Sequence, residues 1–290
     1  VIHAANPFVL GAGGIFYARL LKVPLVASYH TNVAAYARFY KLGFLENATR
    51  WWTRTWHNQA HLNLCTSEAT RDYLLNEGIK RVRVWPQGVD ARRFHPGKAS
   101  REWRIRLSGG RPEEKILLYV GRLAPEKSIG RLKAVLLEIP NTKLAIVGDG
   151  PARKALEKEF RGMNTVFTGL LVGEDLACAF ASADLFVFPS TTETLGIAMI
   201  EGLASGLPVI AARSGAAHEV VSEGENGLLY EPGSDKELVA AVRRILKDDA
   251  LRGTLSWQAR IAAEKRGWKA STATLRGYYE EVLGSRGTAA

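Results

Sequence analysis

Short, continuous apolar runs alternate along this chain with longer segments whose apolar residues recur every three or four positions. The runs read as strands. A first series covers Val1–Ala4, Leu25–Tyr29, Leu62–Cys65 and Val82–Trp85. A second covers Ile116–Val120, Lys143–Val147, Thr165–Thr168, Leu185–Phe188, Pro208–Ala211 and Gly227–Tyr230. Several are unbroken β-branched or aromatic stretches, the pattern of parallel strands covered on both faces. The periodic segments between them, such as 151–160, 173–181 and 196–205, read as helices. Such alternation predicts α/β layers around parallel sheets.

Residues 85–115, WPQGVDARRFHPGKASREWRIRLSGGRPEEK, separate the two series. They are rich in Pro, Gly and charge and read as an interdomain linker followed by a short amphipathic helix around Arg101–Leu107. Two Rossmann-like α/β domains facing each other are therefore expected, with boundaries at 1–86 and 87–273, and a helix and tail over 274–290. Ligands of such sheets bind beyond the carboxyl ends of the strands. Three helices are expected after Pro232. Only four strands precede the linker, against about six in a doubly wound domain. This predicts that the first domain is truncated at its amino terminus.

Composition narrows the picture. The 290 residues are 47% hydrophobic and 23% charged, an ordinary globular balance long enough for about two domains. No apolar run approaches the roughly 18 residues of a membrane-spanning helix. The two cysteines, Cys65 and Cys178, lie in apolar stretches, so buried thiols, a reducing compartment and no disulfide framework are expected. No Cys/His spacing suits a metal, and no zinc site is expected. The net charge of +10 favours anionic partners: nucleic acid, phosphorylated metabolites or an acidic membrane. No nucleic-acid-binding signature accompanies it.

Three stretches carry candidate chemistry. In VGRLAPEKSIGRL (120–132), Arg122 and Lys127 follow a strand and precede a helix. Two cations beside a helix start make a diphosphate site; the alternative is a solvated basic loop in which Glu126 pairs with a neighbour. In GDGP (148–151), the glycines allow close backbone approach to a ligand, or merely a tight strand-to-helix turn. The third glycine of a dinucleotide fingerprint is missing, as is a P-loop. In PSTTETLGIAMIEGLASGLPVIA (189–211), Glu193 lies in a loop and Glu201 on the helix that starts near Gly196 and Ile197. A carboxylate accepts from both hydroxyls of a diol; alternatively Glu201 is an exposed helix residue and Glu193 a favourable charge near a helix N-terminus. His30 of SYHTN closes an apolar strand, either as a cap for the next helix or facing a ligand.

The E-x7-E spacing of Glu193 and Glu201, with GRLAPEKS upstream and GLPVIA downstream, resembles the retaining glycosyltransferases of the GT-B fold. The resemblance spans Val1 to about Leu283. VASYHTN, LNLCTS, WPQGVD, RRFHP, REWRIRLSGG, GDGP, FTG, TETLG and VIAARSG follow, in order, the pattern of the sulfolipid synthases of cyanobacteria and chloroplasts. Those enzymes transfer sulfoquinovose from UDP-sulfoquinovose to diacylglycerol. Related enzymes move mannose or glucose to lipid or other acceptors, and a non-catalytic nucleotide-sugar-binding fragment is the remaining alternative.

The resemblance implies roles. Arg122 and Lys127 hold the donor diphosphate, with the backbone of Gly196 and Ile197. Glu193, with Thr194 and Leu195, meets the transferred sugar. Glu201 binds the ribose, and Gly169 and Leu171 lie by the base. His30 matches a histidine that faces the donor sugar. Residues 1–86 become the acceptor side and 87–273 the nucleotide-sugar side. No metal and no cofactor are implied; the nucleotide sugar is a substrate. Retention follows from front-face attack, with the donor phosphate helping to deprotonate the acceptor hydroxyl. Residues 37–59 mix aromatics with Arg and Lys, which suits an anionic membrane surface or, alternatively, an ordinary core-facing helix with a basic outer face; Arg38 or Lys41 is available to meet a sulfonate. A cytoplasmic protein held peripherally on a membrane is implied, photosynthetic if the sulfolipid reading holds. His3, His57, His61, His95 and His218 have no comparable setting and are expected to pack or face solvent. One departure concerns the donor region: Ala216, Ala217 and His218 replace the Gly-Gly-Ile-Pro-like turn after ARSG.

Overall fold

The computed structural model describes residues 1–6, 9–32 and 46–284. The chain divides into two compact units. The first comprises Val1–Gly88, Thr192–Leu195 and Trp268–Ala290. Its sheet has four parallel strands in the order β1 (Ile2–Ala5), β2 (Leu25–Tyr29), β3 (Leu62–Cys65), β4 (Val82–Val84). Every residue of β2 and β3 is buried, which is why their sequence does not alternate. One sheet face packs Ala4, Leu25 and Ala27 against Ile15 and Ala18 of the helix Val9–Leu20. The other packs Val26, Leu62 and Leu64 against Val282, Leu275 and Tyr279 of the helix Trp268–Gly284. The last helix of the chain therefore covers the first sheet. Within the basic aromatic stretch, the helix Glu46–His57 is described and pairs Trp52 with Trp56 at 5.3 Å. Arg38 and Lys41 lie outside the described residues.

The second unit comprises Val89–Thr191 and Gly196–Gly267. Its six parallel strands run β10-β9-β8-β5-β6-β7. They are β5 (Lys115–Val120), β6 (Thr142–Val147), β7 (Thr165–Gly169), β8 (Leu185–Phe188), β9 (Val209–Ala212) and β10 (Gly227–Tyr230). The winding goes outward from β5 through β6 to β7, then returns to β8 on the other side of β5. That reversal is a topological switch point, where doubly wound sheets bind ligands. The strands of both sheets fall on the apolar runs, with ends displaced by no more than one residue.

Three local expectations are corrected. The charged stretch after Trp85 is a linker only to Gly88. From Val89 onward it is folded on the second unit, with Phe94, Trp103 and Leu107 buried and the Ser100 N–H donating to Ser182 Oγ at 3.0 Å. Lys127 does not precede an α-helix directly. Pro125–Lys127 and Ile129–Leu132 are 3₁₀ turns, and the α-helix starts at Lys133. Ser128, in a left-handed conformation at φ 52°, breaks the run between the two turns. Cys178 is half-buried, whereas Cys65 is buried. Among the described residues, no helix is long and apolar enough to cross a membrane.

Candidate functional site

In the second unit, the exit loops of β5 and β8 lie side by side because these strands pair at Leu117–Leu185 and Leu118–Phe186. The β5 loop begins at Gly121, whose N–H donates to the Val147 carbonyl at 3.1 Å. Leu123 N–H donates to Asp149 at 2.9 Å, and Ala152 N–H to Leu123 at 2.9 Å. The loop carrying Arg122 is thus laced to GDGP. The fit leaves no room for side chains: a Cβ on Gly148 would stand 2.0 Å from the Gly121 oxygen, and one on Gly150 2.4 Å from the Leu123 oxygen. These glycines answer the structural alternative: they permit backbone-on-backbone packing that fixes the Arg122 loop.

The Arg122 guanidinium pairs with the fully buried Glu126 carboxylate, so the pairing alternative also holds. The second Glu126 oxygen is buried with no hydrogen-bond partner. Arg122 nonetheless keeps about half of its side chain exposed, 47%, and presents a charge at the strand end. Lys127 is 9% exposed, not a solvated loop residue.

Beyond β8, Gly196 adopts φ 78° and caps the helix Ile197–Ala204. The first amides of such a helix have no partner within it and favour negative charge. Ile197 is exposed at this start. Glu201 follows about one turn later, half-buried, and burial lifts its carboxyl from the ordinary 4.5 to about 7. Arg122, Lys127, Gly196, Ile197 and Glu201 therefore share the carboxyl-end side of the β5–β8 pair. Gly169 ends β7, at the far edge, and its carbonyl accepts from Gly148 N–H at 2.9 Å. Leu171 is buried between exposed Leu170 and Val172.

His30, Glu193, Thr194 and Leu195 belong to the first unit. His30 is fixed at three points. Its N–H donates to Asn6 Oδ1 at 2.9 Å, its carbonyl accepts from Thr194 Oγ1 at 2.8 Å, and its Nε2 lies 2.9 Å from Ser28 Oγ. Its ring stands edge-on to Trp85, and burial pulls its pKa below the usual 6.5. These contacts hold the His30 backbone and imidazole in one orientation. Leu195 is buried and Glu193 half-buried. The Thr194 carbonyl is ringed by the hydroxyls of Thr66 (2.9 Å), Ser67 (2.7 Å) and Thr70 (3.2 Å). Sequence reasoning missed these three. CTSEAT does show an N-cap, and Ser67 accepts from Thr70 N–H at 3.1 Å, but nothing local indicates a partner 124 to 128 positions away.

The remaining histidines have local duties. His57 is fully buried against Asn63 (2.7 Å), His61 Nδ1 accepts from Leu25 N–H, and His95 Nδ1 accepts from Gly97 N–H. His3 reaches the Tyr279 hydroxyl at 2.7 Å, and His218 is exposed. Among the described residues, no group of three or more His, Cys, Asp or Glu forms a metal-holding cluster.

Two parallel-sheet Rossmann-like units, one with a basic switch point, define the GT-B class of glycosyltransferase fold. Residues 102–262 match the family Glycosyl transferases group 1, and residues 1–93 match Glycosyltransferase Family 4. The chain belongs to the group 1 glycosyl transferases. It is 40% identical over 282 residues to the sulfoquinovosyl transferase SQD2 of Arabidopsis thaliana, covering 95% of this chain and 55% of that protein. It thus spans about half the length of that relative. A GDP-mannose-dependent alpha-mannosyltransferase of Corynebacterium glutamicum is 38% identical over 287 residues, 98% of this chain and 68% of that protein. Among solved structures, sucrose-phosphate synthase from Thermosynechococcus elongatus superposes with a TM-score of 0.85 at 26% identity, covering 98% of this chain and 73% of that one.

Proposed function

We propose that this protein is a nucleotide-sugar-dependent, retaining glycosyltransferase that moves sulfoquinovose from UDP-sulfoquinovose to diacylglycerol. The observation that carries the donor reading is the switch point: Arg122, Lys127 and the helix start at Gly196 occupy neighbouring strand exits. As the bond to the sugar breaks, negative charge builds on the departing diphosphate. Arg122, Lys127 and the Gly196–Ile197 amides offset it without reorganising, the largest usual source of transition-state stabilisation. Glu201 takes the ribose hydroxyls, and Glu193, with Thr194 and Leu195, the transferred sugar. Gly169 and Leu171 flank the base. His30 orients and polarises the sugar, and the donor phosphate assists the acceptor hydroxyl as it attacks the same face. The 40% identity to a sulfoquinovosyl transferase supports the choice of sugar. The reaction occurs at an anionic membrane surface, where the +10 charge favours attachment.

A second reading, mannosyl transfer from GDP-mannose, has its own support. A relative of that printed activity is 38% identical over nearly the whole chain, and the Ala216–His218 turn departs from the sulfolipid pattern. Diacylglycerol vesicles with UDP-sulfoquinovose, UDP-glucose or GDP-mannose in parallel, without added metal, separate the readings by the lipid product formed. Sulfolipid from UDP-sulfoquinovose is expected. Product from GDP-mannose alone overturns the sulfolipid reading. Nucleotide binding with no product from any donor overturns transfer itself. Glu193→Ala should abolish product while leaving nucleotide binding largely intact.

A further inference from the structure

The segment Thr192–Leu195 is joined by chain to β8 on one side and to the helix Ile197–Ala204 on the other, yet it belongs to the compact first unit. Thr194 is one residue that holds it there. Thr194 offers a carbonyl with two lone pairs and a hydroxyl with one proton. The hydroxyl donates to the His30 carbonyl at 2.8 Å. The carbonyl has three hydroxyls within reach: Thr66 at 2.9 Å, Ser67 at 2.7 Å and Thr70 at 3.2 Å. The Ser67 hydroxyl also lies 2.7 Å from Thr70 Oγ1, to which it can donate; with one proton each, one of this pair donates to the other and the remaining one to the carbonyl, beside Thr66. All three hydroxyl-bearing residues are buried, at 5%, 1% and 7% exposure, so water does not readily replace a lost donor.

The donors sit on stiff supports. Thr66 and Ser67 directly follow β3, and Ser67 caps the helix Glu68–Asn76, on which Thr70 lies in the first turn. A strand end and a helix start thus grip one peptide of a loop that has no regular structure of its own.

We infer that Thr66, Ser67 and Thr70 form a hydroxyl clamp on the Thr194 carbonyl that positions Glu193 and, through the Thr194 hydroxyl, His30. They are positioning residues and touch no substrate. The inference rests on the proposed role of Glu193 and His30 at the transferred sugar. In that setting a small misplacement of Glu193 and His30 lowers turnover more than donor binding, because Arg122 and Lys127 hold the diphosphate from the β5 exit and only the Gly196 and Ile197 amides adjoin the loop.

The test uses Thr66→Val and Thr70→Val, singly and together. Each removes a hydroxyl at nearly constant volume and spares the Ser67 cap. The double variant should lose about tenfold or more in kcat with donor KM within about twofold. Thr66→Ser with Thr70→Ser should restore at least half of the rate. Amide hydrogen exchange over 192–196 should accelerate in the valine variants relative to β8, and this readout needs no activity. If the wild type transfers no sugar, the functional reading fails while exchange still decides the clamp. Unchanged exchange over 192–196 overturns the clamp. So does faster exchange with kcat unaltered, since the contacts would then be structural only, and so does a rate that the serine pair fails to restore.

Discussion

In the proposed ribose role, Glu201 would couple donor binding to pH. Burial raises its carboxyl from 4.5 to about 7 in the donor-free protein. A diol donates two hydrogen bonds to a carboxylate, and a neutral acid receives them poorly. Donor affinity should therefore rise about tenfold between pH 6 and pH 8, as the ionised fraction grows. Calorimetric titration with the nucleotide sugar measures this, and Glu201→Gln should flatten the profile. The stability sign is the reverse. The folded pKa lies above the unfolded one, so the contribution of Glu201 is complete below about 4.5 and is lost as pH rises through about 7. Without donor, Glu201→Gln should raise the melting temperature at pH 8 and leave it little changed at pH 4.

At the scale of elements, the exit loops of β5 and β6 form one unit of packing. Gly148 holds φ 135°, and its missing Cβ is what lets the Gly121 carbonyl approach. Gly148→Ala should cost about 3 kcal/mol or more in unfolding free energy, from strain and steric overlap together. Denaturant titration checks this, and nucleotide binding should weaken with it because Arg122 moves. The strands were legible in the sequence because parallel strands buried on both faces leave unbroken apolar runs. GDGP was legible as a turn, but the sequence could not separate a ligand-cradling glycine from one that admits a neighbouring backbone; only the position of Gly121 does. The stretch after Glu126 was misread because 3₁₀ turns carry no clear period, and Ser128 at positive φ has no sequence mark.

At the scale of the molecule, the two units differ in what their sequence reveals. In the second unit, Arg122 and the loop before Gly196 follow their strands closely, so motif and strand end coincide. The grip on Thr192–Leu195 depends on Thr66, Ser67 and Thr70, more than a hundred positions upstream, and no local pattern announces it. The first unit also carries a buried pH liability. His57 donates from Nδ1 to Asn63 while Nε2 is buried without a partner, and its pKa falls from 6.5 to about 4. The folded pKa is depressed, so the contribution is present above about 6.5 and is lost as pH falls to about 4. Unfolding free energy should drop by about 3 kcal/mol across that window on account of His57. Urea titrations at pH 7 and pH 4.5 measure the loss, and His57→Gln should make the dependence shallower.

The central claim is that the exits of β5 and β8 hold a nucleoside diphosphate. Isothermal titration with UDP and with GDP, on the wild type, Arg122→Ala and Lys127→Ala, addresses it most directly. The wild type should bind one of the two, and each substitution should weaken that binding by about ten- to a hundredfold, the value of a charge-assisted hydrogen bond. Affinity unchanged in both variants would contradict the account.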